Sequence, residues 1–177
     1  NQESQTRRII VDLAQDFLKA GLVVRTWGNF SGRLDEDKFL ITPSGKAYEG
    51  MQPGELVCVS TADGKAIKKG SGKPSSESPM HALSYRHFPE IKVVAHTHQV
   101  YASALTLLGK DIEVPAQWRS ISGAKYIPLS PYALPGSKKL HEAMNATLAR
   151  SDAKAVLMGR HGAFILAQTP EECLSLA

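Results

Sequence analysis

The residue pair most capable of chemistry is His96 and His98, which stand one position apart in the apolar segment VVAHTHQVYA, residues 93–102. Side chains at positions i and i+2 of a strand point to the same face, so both imidazoles can converge on one ion. Neutral imidazole is the commonest protein ligand for metals such as zinc. The alternative is two core histidines with separate hydrogen bonds, and the pair alone does not decide between a metal site and a polar core.

Two further elements favour the metal interpretation. The motif GRHGAF places His161 in a tight turn between two apolar segments, and KPSSESPMHA places Glu77 just before the start of a helix. Three histidines and a carboxylate form a plausible ligand set for a divalent cation that keeps an open coordination position. Taken singly, His161 could be a surface turn residue, and Glu77 could only favour a helix N-terminus electrostatically. We interpret the remaining histidines as exposed or as supporting the site indirectly: His81, His87 and His141.

Three short segments of glycine and small polar residues indicate a binding site for an anion. They are WGNFSG at 27–32, TPSG at 42–45 and PSSES at 74–78. Such segments offer free backbone N–H groups, which a phosphate cradle requires. The serines of the third segment also precede a helix N-terminus, whose dipole favours an anion. Each segment alone is an ordinary turn, and the combination beside a metal-type histidine set indicates a phosphate site.

The elements that must position these residues follow from hydrophobic periodicity and turn signals. Helices are predicted over 5–20, from an N-cap at Ser78, over 100–108, after a cap at Ser137 and after a cap at Thr169. Strands are predicted at 29–33, 38–42, 55–60, 65–69, 91–98, 125–130, 153–158 and 163–167. Several strand-to-strand connections are too short for parallel crossovers, so we expect a mixed, mostly antiparallel sheet with helices packed on it.

Composition and charge narrow the class of partner. The 177 residues predict a single domain, 1–177, and contain no segment with the roughly 18–20 apolar residues of a membrane span. A net charge of +4 favours anionic ligands but is too diffuse to indicate nucleic acid. The lysines of KAIKKGSGK, residues 65–73, are interpreted as a solvated loop. We therefore expect neither a nucleic-acid nor a membrane partner.

Two further features concern location and completeness. Cys58 and Cys173 lack metal-type spacing and are interpreted as reduced thiols, as expected in the cytoplasm. The polar N-terminus shows no signal peptide. The helix that begins after Thr169 is cut off at Ala177, so we expect that the natural protein continues into a C-terminal tail.

The motifs TWGNFSGRL, LITPSG, KPSSES, HTH and RHG, in this order and spacing, resemble the class II aldolase/adducin family from about Ile9 to the end of the chain. The sequence is most similar to the members that resemble L-fuculose-1-phosphate aldolase. The resemblance implies an α/β fold: a three-layer α/β/α sandwich on a mixed, mostly antiparallel central sheet. It also implies a homotetramer with active sites between subunits.

The same resemblance implies roles for individual residues. His96, His98 and His161 would bind zinc or another divalent cation such as Mn²⁺ or Co²⁺. Glu77 matches the catalytic acid/base of the aldolases and can also ligate the metal, and the sugar-phosphate epimerases typically have aspartate at this position. Substrate phosphate would be bound by Gly28, Asn29, Ser44, Gly45, Ser75 and Ser76.

The activity implied is reversible cleavage of a phosphorylated ketose to dihydroxyacetone phosphate and an aldehyde by a zinc-dependent lyase. A 4-epimerase, a dehydratase or a decarboxylase of the same family is the alternative within enzymes. Adducin-like members keep the fold as an assembly module without the metal site, and the complete histidine set argues against that interpretation. Trp118 and Arg119 lie near the position from which the aldolases contribute a tyrosine across the subunit interface.

Overall fold

The computed structural model describes residues 1–68 and 72–177. The helices of this part are α1 (Gln2–Lys19), α2 (Ser78–His87), α3 (Val100–Leu105), α4 (Arg119–Ser122), α5 (Lys138–Ala149) and α6 (Pro170–Leu176). The strands are β1 (Asn29–Arg33), β2 (Lys38–Ile41), β3 (Val57–Ser60), β4 (Val93–Thr97), β5 (Ile112–Glu113), β6 (Tyr126–Ile127), β7 (Leu129–Ser130), β8 (Ala155–Met158) and β9 (Gly162–Ala167). Short 3₁₀ turns cover Pro53–Glu55, Thr106–Leu108 and Ala116–Trp118.

One central sheet organises the described residues. Its strand order is β3-β2-β1-β4-β9-β8-β7, and every neighbouring pair is antiparallel except β7 with β8. The short strands β5 and β6 form a separate antiparallel pair. The mixed, mostly antiparallel sheet expected from the sequence is therefore confirmed.

Helices cover both faces of this sheet because its central strands are apolar on both sides. Val93 and Ala95 of β4 belong to a core cluster with residues of α1 and α6, whereas Val94 belongs to the opposite cluster with residues of α2 and α5. Alternate side chains of a strand point to opposite faces, so β4 contributes to both cores. The arrangement is the predicted three-layer α/β/α sandwich.

Helix starts are set by the expected capping chemistry at most positions. The side chain of Ser137 accepts a hydrogen bond from the Leu140 N–H, and that of Thr169 accepts one from the Glu172 N–H. The prediction of Ser78 as the N-cap of α2 is wrong, because Ser78 is already helical and its hydroxyl donates to the Gly64 carbonyl. Glu77 occupies the N-cap position without a side-chain capping bond.

Two predicted strands also differ from the structure. The strand expected over 125–130 is divided into β6 and β7 at Pro128, because proline has no N–H to donate to a ladder. Of the strand expected over 65–69, the structure shows only an isolated bridge between Ala66 and Val59, and Lys69 lies outside the described residues.

The helix expected over 100–108 is α-helical to Leu105 and continues as the 3₁₀ turn to Leu108. Cys58 and Cys173 are both free thiols. No helix in the described part of the chain has the length and apolar character needed to cross a bilayer.

Candidate metal centre and substrate cleft

The position of His96 is fixed by the centre of the sheet. In β4 it pairs with Asn29 of β1 on one side and with Phe164 of β9 on the other. The Phe164 ring stacks on the imidazole at a centroid distance of 4.8 Å. The His96 Nδ1–H donates to the Ala163 carbonyl at 2.9 Å, which directs the lone pair of Nε2 away from the core. The buried imidazole is therefore oriented as a metal ligand would be.

His98 and His161 meet His96 from two loops. The Nε2 atoms of His96 and His98 lie 2.9 Å apart, and the rings of His98 and His161 have centroids 5.0 Å apart. His161 reaches this position because β9 begins very close to β4. A Cβ atom on Gly162 would lie 2.1 Å from the Thr97 carbonyl oxygen, so only glycine allows this approach.

Glu77 completes the cluster from the start of α2. One carboxylate oxygen, Oε2, lies 3.2 Å from His96 Nε2, and the other, Oε1, lies 3.3 Å from His161 Nε2. Asn29 donates a hydrogen bond from Nδ2 to Oε2 at 2.7 Å. The carboxylate is therefore held by a neutral amide and faces three imidazoles.

The electrostatics of the cluster favour neutral imidazoles. Burial, followed by the proximity of His98, lowers the pKa of His96 to about 3. Burial is also the main cause that lowers the pKa of His161 to about 4, and it lowers that of His98. Neutral imidazole is the form that ligates metals.

The donor set fits a divalent cation. The three histidines offer ligand atoms that all lie within 4.8 Å of one another, and Glu77 adds a carboxylate oxygen. Neutral nitrogen lone pairs this close together need either a shared proton or a cation between them. Nitrogen and oxygen donors of these types are those that bind zinc and similar ions, so the cluster can bind a metal ion.

The predicted anion segments line one cleft of about 480 Å³ together with Glu77, His98 and His161, and the buried His96 contacts Glu77 at 3.2 Å. A bridge between Pro43 and Pro74 brings the loop of Ser44 next to the loop of Ser75. Gly28 is strictly required beside them, because its φ is +82° and a Cβ atom there would lie 2.5 Å from the His96 carbonyl oxygen. All of the residues predicted to bind phosphate lie along this cleft: Gly28, Asn29, Ser44, Gly45, Ser75 and Ser76.

Two of the four side chains in this set are already engaged within the protein. Asn29 is buried between Glu77 and His81, and its amide uses both ends for these two partners. The Ser75 hydroxyl accepts a hydrogen bond from the Glu77 N–H at 3.3 Å. In contrast, Ser44, Gly45 and Ser76 are exposed. The side chain of Asn29 therefore contacts the carboxylate, and a direct role of that residue toward phosphate remains a prediction.

The cleft also contains residues to which the sequence analysis assigned no role. Arg160 and Tyr132 line it, together with Thr26 and Trp27. Arg160 has a φ of +54°, and its N–H donates to the Thr106 hydroxyl, so the turn that carries His161 is held in a left-handed conformation. The sequence signal that could have identified Arg160 is its position next to His161. Tyr132 reaches the cleft from a distant loop, and no sequence signal pointed to it.

The other histidines lie outside the cluster, and one of them contacts its supporting residues. His87 is half-buried and pairs with Asn145 on α5, and His141 is half-buried on the same helix. His81 is fully buried and contacts the Asn29 side chain, which in turn contacts Glu77. It therefore supports the site through its neighbours.

Comparisons with known proteins agree with this geometry. Residues 8–177 match the family model of the class II aldolase and adducin N-terminal domain. The L-fuculose phosphate aldolase of Haemophilus influenzae is 34% identical over 168 residues, which cover 95% of this chain and 75% of that protein. The 5-methylthioribulose-1-phosphate/5-deoxyribulose-1-phosphate aldolase of Escherichia coli is also 34% identical over 168 residues, with coverages of 95% and 76%.

Solved structures show the same fold. The structure of YgbL from Escherichia coli, a candidate aldolase, epimerase or decarboxylase, superimposes with a TM-score of 0.86. It is 26% identical to this chain, and the match covers 99% of this chain and 84% of YgbL.

Proposed function

The chain belongs to the class II aldolase and adducin family, and from that premise we propose that it is a metal-dependent aldolase. Its substrate would be a phosphorylated ketose resembling L-fuculose 1-phosphate, cleaved reversibly to dihydroxyacetone phosphate and an aldehyde. One observation carries this proposal: a single cleft is lined by three loops suited to phosphate and by His98, His161 and Glu77, which cluster with the buried His96.

The metal would be held by His96, His98 and His161, with Glu77 as a further ligand when substrate is absent. We propose Zn²⁺, with Mn²⁺ or Co²⁺ as the alternatives that the same donor atoms accept. A divalent cation supplies a Lewis acid that polarises a substrate carbonyl and stabilises the negative charge that develops as the adjacent bond breaks. His96 contributes most to the geometry, because its ring is fixed by Phe164 and by the Ala163 carbonyl.

Glu77 would move the proton of the reaction. When the C3–C4 bond of the ketose breaks, the C4 hydroxyl loses its proton to water as the aldehyde forms, and C3 gains a proton, which the carboxyl group of Glu77 would deliver. In the synthetic direction the carboxylate would remove the same proton. Glu77 can do both because it is buried at the inner end of the cleft and is held by the Asn29 amide.

The phosphate of the substrate would lie among the three small-residue segments. Ser44 and Ser76 are exposed along the cleft, and the start of α2 adds the positive end of a helix dipole. Arg160 lines the same cleft and adds a cation. These features suit a dianion better than a neutral sugar.

We further propose that the active form is a homotetramer. The surface formed by α3 and the following 3₁₀ turn exposes apolar side chains that a monomer would leave in water: Val100 at 79%, Tyr101 at 87% and Leu107 at 72% exposure. Light scattering of the purified protein is expected to give four chains per particle. A fully active monomer would contradict the proposal.

The function is tested by a panel of ketose phosphates, with release of dihydroxyacetone phosphate measured by a coupled enzyme. Cleavage of at least one ketose 1-phosphate, and poor cleavage of the same ketose without phosphate, is the expected result. The similarity to YgbL favours epimerisation or decarboxylation as the second candidate activity. An isomeric sugar phosphate from this panel, or carbon dioxide released from a phosphorylated sugar acid added to it, with no dihydroxyacetone phosphate from any ketose, would assign that activity and reject the aldolase.

A further inference from the structure

A chain of buried polar side chains extends behind Glu77 into the core between the sheet and α2. Asn29 contacts Glu77 and His81, His81 contacts Ser31 at 2.6 Å, and Ser31 contacts the Tyr85 hydroxyl at 2.8 Å. Asn29 is 5% exposed, and the other three are at most 1% exposed. Polar side chains that are buried this deeply need hydrogen-bond partners, and these side chains provide them for one another.

The direction of each hydrogen bond follows from the carboxylate. An ionised carboxylate only accepts, so the Asn29 group that faces it is the NH₂, and the Asn29 carbonyl faces His81. His81 must then donate from Nε2–H, which leaves Nδ1 to accept from the Ser31 hydroxyl. Ser31 has used its hydrogen, so it accepts from the Tyr85 hydroxyl. Every member has one consistent role.

We propose that His81 is a positioning residue for Glu77: as the neutral Nε2–H tautomer, it fixes the Asn29 amide so that its NH₂ holds the carboxylate in place. This inference rests on the proposed function, because it assigns Glu77 a role in catalysis. Without the Nε2–H donor, the amide loses the partner that distinguishes its two ends. A rotated amide would present its oxygen to the carboxylate, which would repel it.

The surroundings of His81 support this tautomer and orientation. The ring lies edge-on to Phe164 at a centroid distance of 5.1 Å and parallel to Phe39 at 6.5 Å, so aromatic contacts restrict its rotation. Burial, followed by the proximity of His96, lowers the pKa of His81 well below its ordinary value. The imidazole is therefore neutral at physiological pH, as the hydrogen-bond directions require.

The kinetic test compares substitutions of the successive hydrogen-bonded side chains that extend from Asn29 to Tyr85. His81→Phe keeps the ring but removes both nitrogens, whereas His81→Gln keeps an amide donor in place of Nε2–H. We expect His81→Phe to lower kcat about ten- to a hundredfold with KM changed less than about threefold. His81→Gln should recover a large part of this loss. Ser31→Ala and then Tyr85→Phe should have progressively smaller effects, because they lie further from Glu77.

A matched control separates positioning from simple loss of stability. Ser84 is also fully buried on α2, but its hydroxyl donates only to the Met80 carbonyl of the same helix. Ser84→Ala should leave kcat unchanged, and thermal unfolding of all variants is measured alongside. Equal losses of kcat in the His81, Ser31 and Tyr85 variants would overturn the proposal. A fall in kcat of Ser84→Ala in proportion to its loss of thermal stability would also overturn it. Unchanged kcat in folded His81→Phe would do the same.

A second measurement does not depend on activity. ¹⁵N-histidine NMR of the Zn²⁺-loaded protein, with the His81 signals identified by their loss in His81→Gln, reports which ring nitrogen carries the proton. The proposal requires a protonated Nε2 and an unprotonated Nδ1 at neutral pH. The opposite tautomer or an imidazolium would overturn it. If wild-type protein cleaves no ketose phosphate, the proposed function fails. The NMR measurement of the His81 tautomer still tests the orientation of the Asn29 amide in that case.

Discussion

The two ends of the cleft are built differently. At the closed end, Asn29 and Glu77 line the cleft, and His96 lies 3.2 Å from the Glu77 carboxylate. All three are buried and held by strand pairing or by hydrogen bonds to other buried groups. The open end consists of Ser44, Gly45 and Ser76, which are exposed on connecting loops. One cleft therefore joins a rigid end to an accessible one.

This difference indicates a division of labour. Polar groups that are fixed before the substrate arrives need no reorganisation during the reaction. Electrostatic stabilisation of the transition state is therefore most effective at the buried end of the cleft. Exposed loops are accessible to a diffusing anion and can supply affinity through backbone and hydroxyl groups. We therefore expect changes at the closed end to lower metal content or kcat, and changes at the open end to raise KM.

The largest effect is expected from His96→Ala. This substitution removes the imidazole that the sheet positions most firmly, so the protein should lose its bound ion, about one per chain in the wild type, and all detectable activity. Metal content is measured by elemental analysis after gel filtration. His87→Gln is the matched control, because His87 pairs with Asn145 on the surface side of α5. A chelated, metal-free protein with full activity would refute the metal site.

The second largest effect is expected from Glu77→Gln. This substitution keeps the shape of the side chain and an oxygen that can accept the hydrogen bond from Asn29. Loss of the acid/base should lower kcat about 10²- to 10⁴-fold and change KM little. Steady-state kinetics with the best ketose phosphate measure both constants. Glu142→Gln, at an exposed position of α5, should behave as wild type. Unchanged turnover in Glu77→Gln would place the proton transfer on another group.

The clustering of the three histidines with Glu77 was predictable from the sequence because the signals of these residues are local. His96 and His98 share a strand period, His161 lies between glycines, and Glu77 immediately precedes a helix. The apolar periodicity and the turn signals likewise predicted a mixed, mostly antiparallel sheet with helices packed on it, whereas helices on both faces were implied by the family resemblance. Recognition of the ordered motifs then connected segments that lie far apart in the chain.

The other features of the cleft depend on contacts between distant segments, which no local sequence pattern encodes. The use of Asn29 as a support for Glu77 requires His81, which lies 52 positions away and was interpreted only as exposed or as supporting the site indirectly. Tyr132 reaches the cleft only because β7 adds to the edge of the sheet in parallel with β8. The break at Pro128 was visible in the sequence, but the apolar character of its neighbours favoured one continuous strand.

Ser75 and Ser76 test the boundary between the two ends. Ser76 is exposed in the cleft, so Ser76→Ala should raise KM for the phosphorylated ketose up to about tenfold, with kcat nearly unchanged, because a hydrogen bond to a charged group is lost. Ser75 is 8% exposed and its hydroxyl accepts from the Glu77 N–H, so Ser75→Ala should also lower kcat. The matched substrate is the unphosphorylated ketose, whose KM should change little in Ser76→Ala. Equal changes for both ketoses would remove Ser76 from the phosphate site.

The smallest expected effect lies at Tyr48, which joins the open end to the core. Its buried hydroxyl donates to the Gly28 carbonyl at 2.6 Å and lies 3.1 Å from the Trp27 carbonyl, so it fixes the loop that packs against His96. Tyr48→Phe should reduce the free energy of unfolding by roughly 1–2 kcal/mol, because the Gly28 carbonyl loses its donor. The freed loop should raise KM only about two- to fivefold, and kcat should persist because His96 and Glu77 keep their own supports. Thermal unfolding and steady-state kinetics measure the two effects, with Tyr126→Phe at an exposed position of β6 as the control. A large fall in kcat in Tyr48→Phe would show that the loop and the buried cluster act as one unit, and the distinction between the two ends would then be wrong.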